Sequence, residues 1–220
     1  MNPLLVLRDA WFFFSHNLPT IARLCLPLVI LEALVQQQLT RHLGMASAGA
    51  YNIVVGLLFY PLYTGALILF LDARSHGHGA TVRNLLAASL GLWPRFALLT
   101  GISTLAIMLG ASLFVLPGLW LMIKLAFAEY LLVLRGLTPL QALHDSFELT
   151  SGYFWHILLC VLVVMTPLWL LAWVTQPGEG SQPDLLFYLL LDSANSFLQL
   201  FATVVLFRLF MLRESLPAEE

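Results

Sequence analysis

Charge is what this sequence has least of. Only 10% of its 220 residues are Asp, Glu, Lys or Arg, against 60% hydrophobic, and the mean hydropathy is +0.89. A water-soluble domain carries about 25% charged and about 45–50% apolar residues, so this chain lacks the polar surface that water would have to cover. Cysteine is scarce too. Cys25 and Cys160 both fall inside apolar runs, which argues against a disulfide framework and for two small buried hydrophobes. No basic run exists to follow a phosphate backbone, so nucleic acid is not an expected partner, and the net charge of −2 selects none. Gly-x-Ser-x-Gly, phosphate-loop, His-Glu-x-x-His and Cys-x-x-Cys patterns are all missing. That leaves no recognisable catalytic motif, and neither enzyme activity nor a cofactor is expected.

What the chain has instead is long apolar runs, at 18–38, 51–71, 96–116, 119–134, 155–175 and 185–210. Crossing about 30 Å of hydrocarbon takes about 20 such residues as a helix. A β-barrel would show alternating segments of about ten residues instead. The expectation is therefore an all-α, polytopic membrane bundle of six transmembrane helices forming a single integral membrane domain over 1–220. The first apolar stretch is amphipathic and the first long one contains Glu32, so no cleavable signal peptide is expected.

Cations orient the bundle, because cytoplasmic segments retain them. With the N-terminus inside, Arg8, Arg74, Arg83, Arg95, Arg135 and Arg213 are cytoplasmic and the outer side keeps only Arg41; the 175–184 loop carries Glu179 and Asp184. Both termini are expected in the cytoplasm of a bacterial cell, with the chain in its inner membrane.

Three short amphipathic stretches alternate with pairs of spans, at 3–16, 82–93 and 139–151. Asn2 and Pro3 suit an N-cap and first helical position, and Thr138 with Gln141 makes a capping box. The pairs Arg8-Asp9, Arg83-Asn84 and His144-Asp145 sit at matching points, with Pro19, Pro94 and Trp155 each eleven residues after the first member. This reads as three interfacial helices in a threefold repeat, with units 1–78, 79–136 and 137–213. They carry too few cations for electrostatic lipid switches. The tripeptide Leu116-Pro117-Gly118 is expected to be the turn of a tight span hairpin.

From Leu116-Pro117-Gly118-Leu119-Trp120 the chain runs through Lys124, Glu129 and Tyr130 to Thr138-Pro139-Leu140-Gln141-Ala142-Leu143, then Ser146-Phe147-Glu148-Leu149-Thr150 and Gly152. This order resembles the YciC-like family of uncharacterised bacterial inner-membrane proteins. More distantly it resembles the membrane domain attached to some glycerophosphodiester phosphodiesterases. The resemblance implies a multi-span inner-membrane protein of Gram-negative bacteria and brings no catalytic residue. No phosphodiesterase domain accompanies it here, so no lipase chemistry is carried over.

Ionisable residues within spans are the candidates for function, since each costs about 2.5–3.5 kcal/mol at a helix centre. Five qualify: Arg23, Glu32, Lys124, Glu129 and Asp192. The expected topology sorts them into an outer layer, Lys124 with Glu32, Asp192 or both, and an inner pair, Arg23 with Glu129. Such pairing offsets desolvation and orients the bundle. Asp192, Ser196, Gln199 and Thr203 recur at helical spacing, flanked by Asn195, as a polar seam facing the bundle interior. The candidate binding residues are thus Glu32, Lys124, Asp192, Asn195 and Gln199. Asp72, His76 and His78 are an incomplete metal set, and no metal site is expected. Expected partners are membrane lipids and other inner-membrane proteins. The expected function is non-catalytic organisation or binding of envelope lipid, and the alternative is a small transporter or channel for a lipid, ion or small molecule. Transport calls for a continuous polar cavity, and lipid handling for grooves on a packed core.

Overall fold

An apolar run in hydrocarbon has no solvent to satisfy its N–H and C=O groups, so it must bond to itself as helix. The structure is a computed structural model describing residues 3–43, 45–174 and 185–214. The 175–184 loop, with Glu179 and Asp184, and the side chains of Arg41 and Asp192 lie outside the described residues. Eight helices are described: α1 (Pro3–Leu43), α2 (Met45–Ser75), α3 (Val82–Leu113), α4 (Val115–Lys124), α5 (Ala128–Arg135), α6 (Pro139–Leu149), α7 (Phe154–Val174) and α8 (Leu185–Glu214). No strand occurs among the described residues. Five segments are long and apolar enough to cross a membrane, within α1, α2, α3, α4 with α5, and α8; α6 and α7, bent by 103° at their junction, make a sixth only if taken as one broken span.

Two of the three stretches read as interfacial helices are not separate elements. Residues 3–16 run without a break into the first span, and 82–93 into the third. Pro19 and Pro27 lie inside α1 and Pro94 inside α3. A proline removes one ladder hydrogen bond, but in a packed membrane bundle neighbouring groups re-satisfy the backbone and the helix continues. Only 139–149 stands alone. Its start matches the sequence pattern, with Pro139 in the first turn and the Thr138–Gln141 capping box formed. Gly136 (φ 66°) ends α5 in the left-handed conformation that glycine adopts without strain.

The hairpin between the third and fourth spans turns at Phe114, earlier than the expected Leu116-Pro117-Gly118. Pro117 lies in the first turn of α4, where its missing N–H costs nothing. Gly118 instead lets α3 and α4 touch: a Cβ placed there would meet Ala111 at 2.8–2.9 Å, backbone atoms included.

The run expected to be a single span over 119–134 is interrupted at Leu125–Phe127, between α4 and α5. The interruption is held by α6. Buried Ser146 donates its hydroxyl to the Lys124 carbonyl (2.8 Å) and accepts from the Phe127 N–H (3.2 Å), and Thr150 reaches the same carbonyl at 3.4 Å. Removing one member of such a set strands a buried polar group at about 1–3 kcal/mol. Ser146→Ala is expected to lower unfolding stability by that amount, read as a shifted thermal midpoint in detergent; an unshifted midpoint would mean the bridge contributes nothing.

Around the bundle, α1 packs on α2 and α8, α2 on α3, α3 on α4 and α7 on α8, while the short α5 sits against α2, α3 and α6. Ion pairs Arg208–Asp9 (3.4 Å) and Arg135–Glu214 (2.7 Å) bring the start of α1 and the ends of α5 and α8 to one end of the molecule. At the other end the hairpin tip, Leu113 to Leu116, is 72–78% exposed, an apolar knob suited to hydrocarbon rather than water.

Candidate functional site

Helical spacing prepares the site. On α1, Glu32 lies a turn from Val29 and a turn from Gln36, whose Nε2 donates to Glu32 Oε1 at 3.2 Å. On α2, Tyr60 and Tyr63 are three residues apart and Gly56 is one turn before Tyr60, so all three share a face. Tyr63 stands near Glu32, and both line one cavity. The Tyr60 hydroxyl donates to Glu129 on α5, 3.0 Å from one carboxyl oxygen and 3.1 Å from the other. Tyr60 is held in place by Phe96, stacked at 6.4 Å with 3° between the rings, and by the edge of Tyr63 at 5.6 Å. Tyr130, buried beside Glu129, donates to the Thr203 carbonyl on α8 at 2.8 Å and stacks on Phe210.

These groups enclose space. One cavity of about 340 Å³ lies between α1, α2, α5, α7 and α8, with Ser196, Gln199 and Thr203 of the last helix among its walls. A second of about 340 Å³ lies towards α3 and takes in Gly56, Thr100, Ser103 and Thr104. Glu32, Tyr60 and Glu129 line both. Two carboxyls from different spans thus stand at the junction of a two-lobed chamber walled by tyrosines, hydroxyls and amides. Among the described residues no cationic side chain pairs with Glu129 or lines either lobe. The Thr100 hydroxyl oxygen is buried without a partner.

Of the candidate residues whose side chains are described, the structure brings Glu32, Glu129 and Gln199 together and leaves Arg23, Lys124 and Asn195 elsewhere. Arg23 is exposed and does not reach Glu129. It stands nine residues from Glu32, about half a turn out of phase at 100° per residue, so the two point to opposite sides of α1. Lys124 turns to α6: its Nζ donates to Ser151 Oγ (2.8 Å) and the Phe147 carbonyl (3.3 Å), between the rings of Trp120 and Phe147 at 5.9 and 5.4 Å. A cation at a helix C-terminus with carbonyl and aromatic partners is a lock on that helix. Asn195 is next to the chamber residue Ser196 but does not line the chamber, and its buried Oδ1 has no partner. His76 pairs with Asp72 at 3.3 Å on the surface, and no group of three metal-ligating side chains forms among the described residues. Lys124→Met is expected to cost roughly 1–3 kcal/mol of unfolding stability while leaving ligand binding in the chamber unchanged, measured by melting with and without ligand.

The sequence reading missed Tyr60, Tyr63, Tyr130, Gly56, Thr100 and Ser103. Their signal was present: Tyr60 and Tyr63, and Thr100 and Ser103, each recur at three-residue spacing on one helix face. Uncharged polar groups are common at helix interfaces in membranes, so this spacing alone does not single out a site.

A second, open groove of about 480 Å³ lies between α3, α4 and α6. Ile102, Ala106, Leu121 and Leu143 make its apolar floor, and His144, Glu148 and Ser151 its polar edge.

The Uncharacterised protein family (UPF0259) model matches residues 30–212. A UPF0259 membrane protein of Pectobacterium carotovorum subsp. carotovorum (strain PC1) is 27% identical over 188 residues, covering 83% of this chain and 72% of that protein. Another, of Sodalis glossinidius (strain morsitans), is 26% identical over 187 residues, covering 83% and 73%. No solved structure matches. The matches agree with the family resemblance carried by residues 116–155. They do not show the more distant likeness to the phosphodiesterase membrane domain.

Proposed function

We propose that this chain, which belongs to the uncharacterised UPF0259 family of membrane proteins, binds a small polar solute in the two-lobed chamber as the binding step of a small, non-enzymatic transporter. One observation carries this reading: Glu32, Tyr60 and Glu129, from three different helices, line both lobes. Ionisable groups inside a membrane bundle are costly and tend to mark solute or ion paths. A bundle needing only stability would gain as much from apolar residues of similar volume. Each lobe also falls within the size range of small-molecule sites, about 300–1,000 Å³. The arginine distribution supports an inner-membrane placement with both termini cytoplasmic, and the Arg208–Asp9 and Arg135–Glu214 pairs agree by gathering those segments at one end.

The test is a thermal-unfolding panel of uncharged, anionic and cationic polar solutes on protein held in lipid nanodiscs. At a hundred times its Kd a ligand stabilises the folded state by about 2.7 kcal/mol. At least one solute is expected to raise the midpoint of the wild type and not that of Gly56→Leu. A Cβ at Gly56 would lie 3.8 Å from Glu32 Oε1, so the leucine would take up chamber volume. A panel without any shift in the wild type would sink the reading.

The α3–α4–α6 groove supports a second reading, retention of a membrane lipid with acyl chain on the apolar floor and headgroup beside Lys124 and Ser151. Native mass spectrometry of gently solubilised protein decides it. A lipid retained by the wild type and lost from Lys124→Met favours lipid handling, and a bare wild type removes it.

A further inference from the structure

We infer that the chamber takes an uncharged polyhydroxylated group, a sugar or cyclic polyol, held between rows of hydroxyls on α3 and α8; this rests on the solute-binding reading and names its ligand class. The rows follow from helical spacing. Thr100, Ser103 and Thr104 stand three and four residues apart, so they share one face of α3, and all line the lobe on that side. Ser196 and Thr203 stand two turns apart on α8 and line the other lobe. All of these side chains are half-buried. Tyr60 and Glu129 stand between the rows and line both lobes. The Thr100 hydroxyl oxygen adds a direct sign: it is buried and has no hydrogen-bond partner in the protein. Buried polar groups are nearly always partnered, and a ligand hydroxyl reaching the α3 lobe supplies the missing partner.

Such walls specify hydroxyls more closely than charge. A hydroxyl donates one hydrogen bond, accepts others and rotates to suit its neighbour. It therefore answers a serine or threonine in either sense. It also donates to a carboxylate and accepts from a carboxylic acid, so its match to Glu129 holds whichever form that acid takes. Other classes fit less well. An anion meets no Lys, Arg or His among the described residues of either lobe. A divalent metal ion needs a fuller set of hard ligands, and no group of three metal-ligating side chains forms among the described residues. An ammonium gains only from ionised acids and offers the hydroxyl rows no acceptor. A solute with one polar group, or none, leaves most of both rows without partners. A ring with hydroxyls on several edges reaches both rows, and each lobe, at about 340 Å³, falls in the size range of small-molecule sites. Its C–H faces then lie against the rings of Tyr63 and Tyr130.

The experiment titrates wild-type protein in nanodiscs with glycerol, myo-inositol, glucose and galactose, read by calorimetry and by the shift in unfolding midpoint. Cyclohexanol is the ring with a single hydroxyl, and glucosamine and glucuronate are the charged counterparts. At least one polyol is expected to bind saturably and roughly tenfold or more tightly than cyclohexanol, since one lost hydrogen bond alone is worth up to about tenfold. Glucosamine is expected to bind no tighter than that polyol, and glucuronate not at all. Thr100→Val is expected to weaken polyol binding severalfold without lowering the unliganded midpoint, because its hydroxyl has no protein partner to lose. Methyl and octyl glucosides separate two sources of the same chemistry. Tighter octyl binding points to a glycolipid headgroup and equal binding to a free polyol, and either result supports the class. If Thr100→Val does not fold, the polyol-to-cyclohexanol ratio on the wild type still decides. Polyols no tighter than cyclohexanol, glucosamine preferred over every polyol, or undiminished polyol binding by Thr100→Val overturns the inference and leaves the solute-binding reading standing. Silent polyols beside a solute of another class that shifts the midpoint do the same. Silence from these probes together with a silent solute panel overturns both.

Discussion

Gly118→Val is expected to prevent the protein from reaching its native state, seen as aggregation on size exclusion and loss of a cooperative melt in detergent. The first atom of any side chain at this position lies 2.8–2.9 Å from Ala111 Cβ, Cα and N on the facing helix. Carbon contacts are favourable only at about 3.5–4.0 Å. Gly110 faces the same crossing, and a Cβ there would meet the Gly118 backbone at 3.1–3.2 Å. Because the obstruction is backbone, no rotamer change relieves it, and α4 must move off α3. Even Gly118→Ala is expected to cost about 1–3 kcal/mol, the usual penalty for overpacking. Gly91→Ala, with nothing within 4 Å of the added atom, is the control: helix propensity alone predicts a gain of about 0.5–1 kcal/mol. If Gly118→Ala melted like Gly91→Ala, the close crossing of α3 and α4 would be wrong.

The second large effect is a pair. Tyr60→Phe is expected to destabilise the protein by about 1.5–3 kcal/mol, because it removes the hydrogen-bond donor shared by both oxygens of Glu129. Adding Glu129→Leu in the same chain is expected to restore most of that loss or exceed it, since exchanging both polar partners for apolar ones of similar size is near neutral or stabilising. Solute binding should vanish in both variants. Stability recovered with binding lost is the pattern of a group retained for function at a cost in folding. If the double variant proved less stable than Tyr60→Phe, Glu129 would be a structural anchor. Denaturation midpoints and ligand-induced shifts, measured on the same samples, separate these outcomes.

The class of the protein could be read almost entirely without coordinates. Scarce charge and runs of about 20 apolar residues leave helix as the only way to satisfy the backbone in hydrocarbon. The α6 start was equally legible, because Thr138, Pro139 and Gln141 act through local geometry that no distant contact overrides. Ser196, Gln199 and Thr203 of the last span line the chamber, though Gln199 is exposed. Other local signals misled. Pro19 and Pro94 would break a helix in water, but a helix inside a bundle runs through them. Gly118 looked like a turn residue and is a packing residue.

Which charges meet was beyond the sequence. Opposite signs at similar depth suggested Lys124 with Glu32 or Asp192 and Arg23 with Glu129, yet depth sets only one of the coordinates of a side chain. The second is rotation about the helix axis, and helices apolar on nearly every side carry little periodicity to specify it. Packing of α1 against α2 and α8 sends Arg23 outward and Glu32 inward. The interruption before α5 frees Lys124 to bind the end of α6 and turns Glu129 to Tyr60. The sequence by itself determined solvent, helical class and the list of costly polar residues, because those follow from local composition. Only the tertiary structure decided that two acids, three tyrosines and the seam of α8 share one chamber, because that depends on how six helices rotate to fill space against one another.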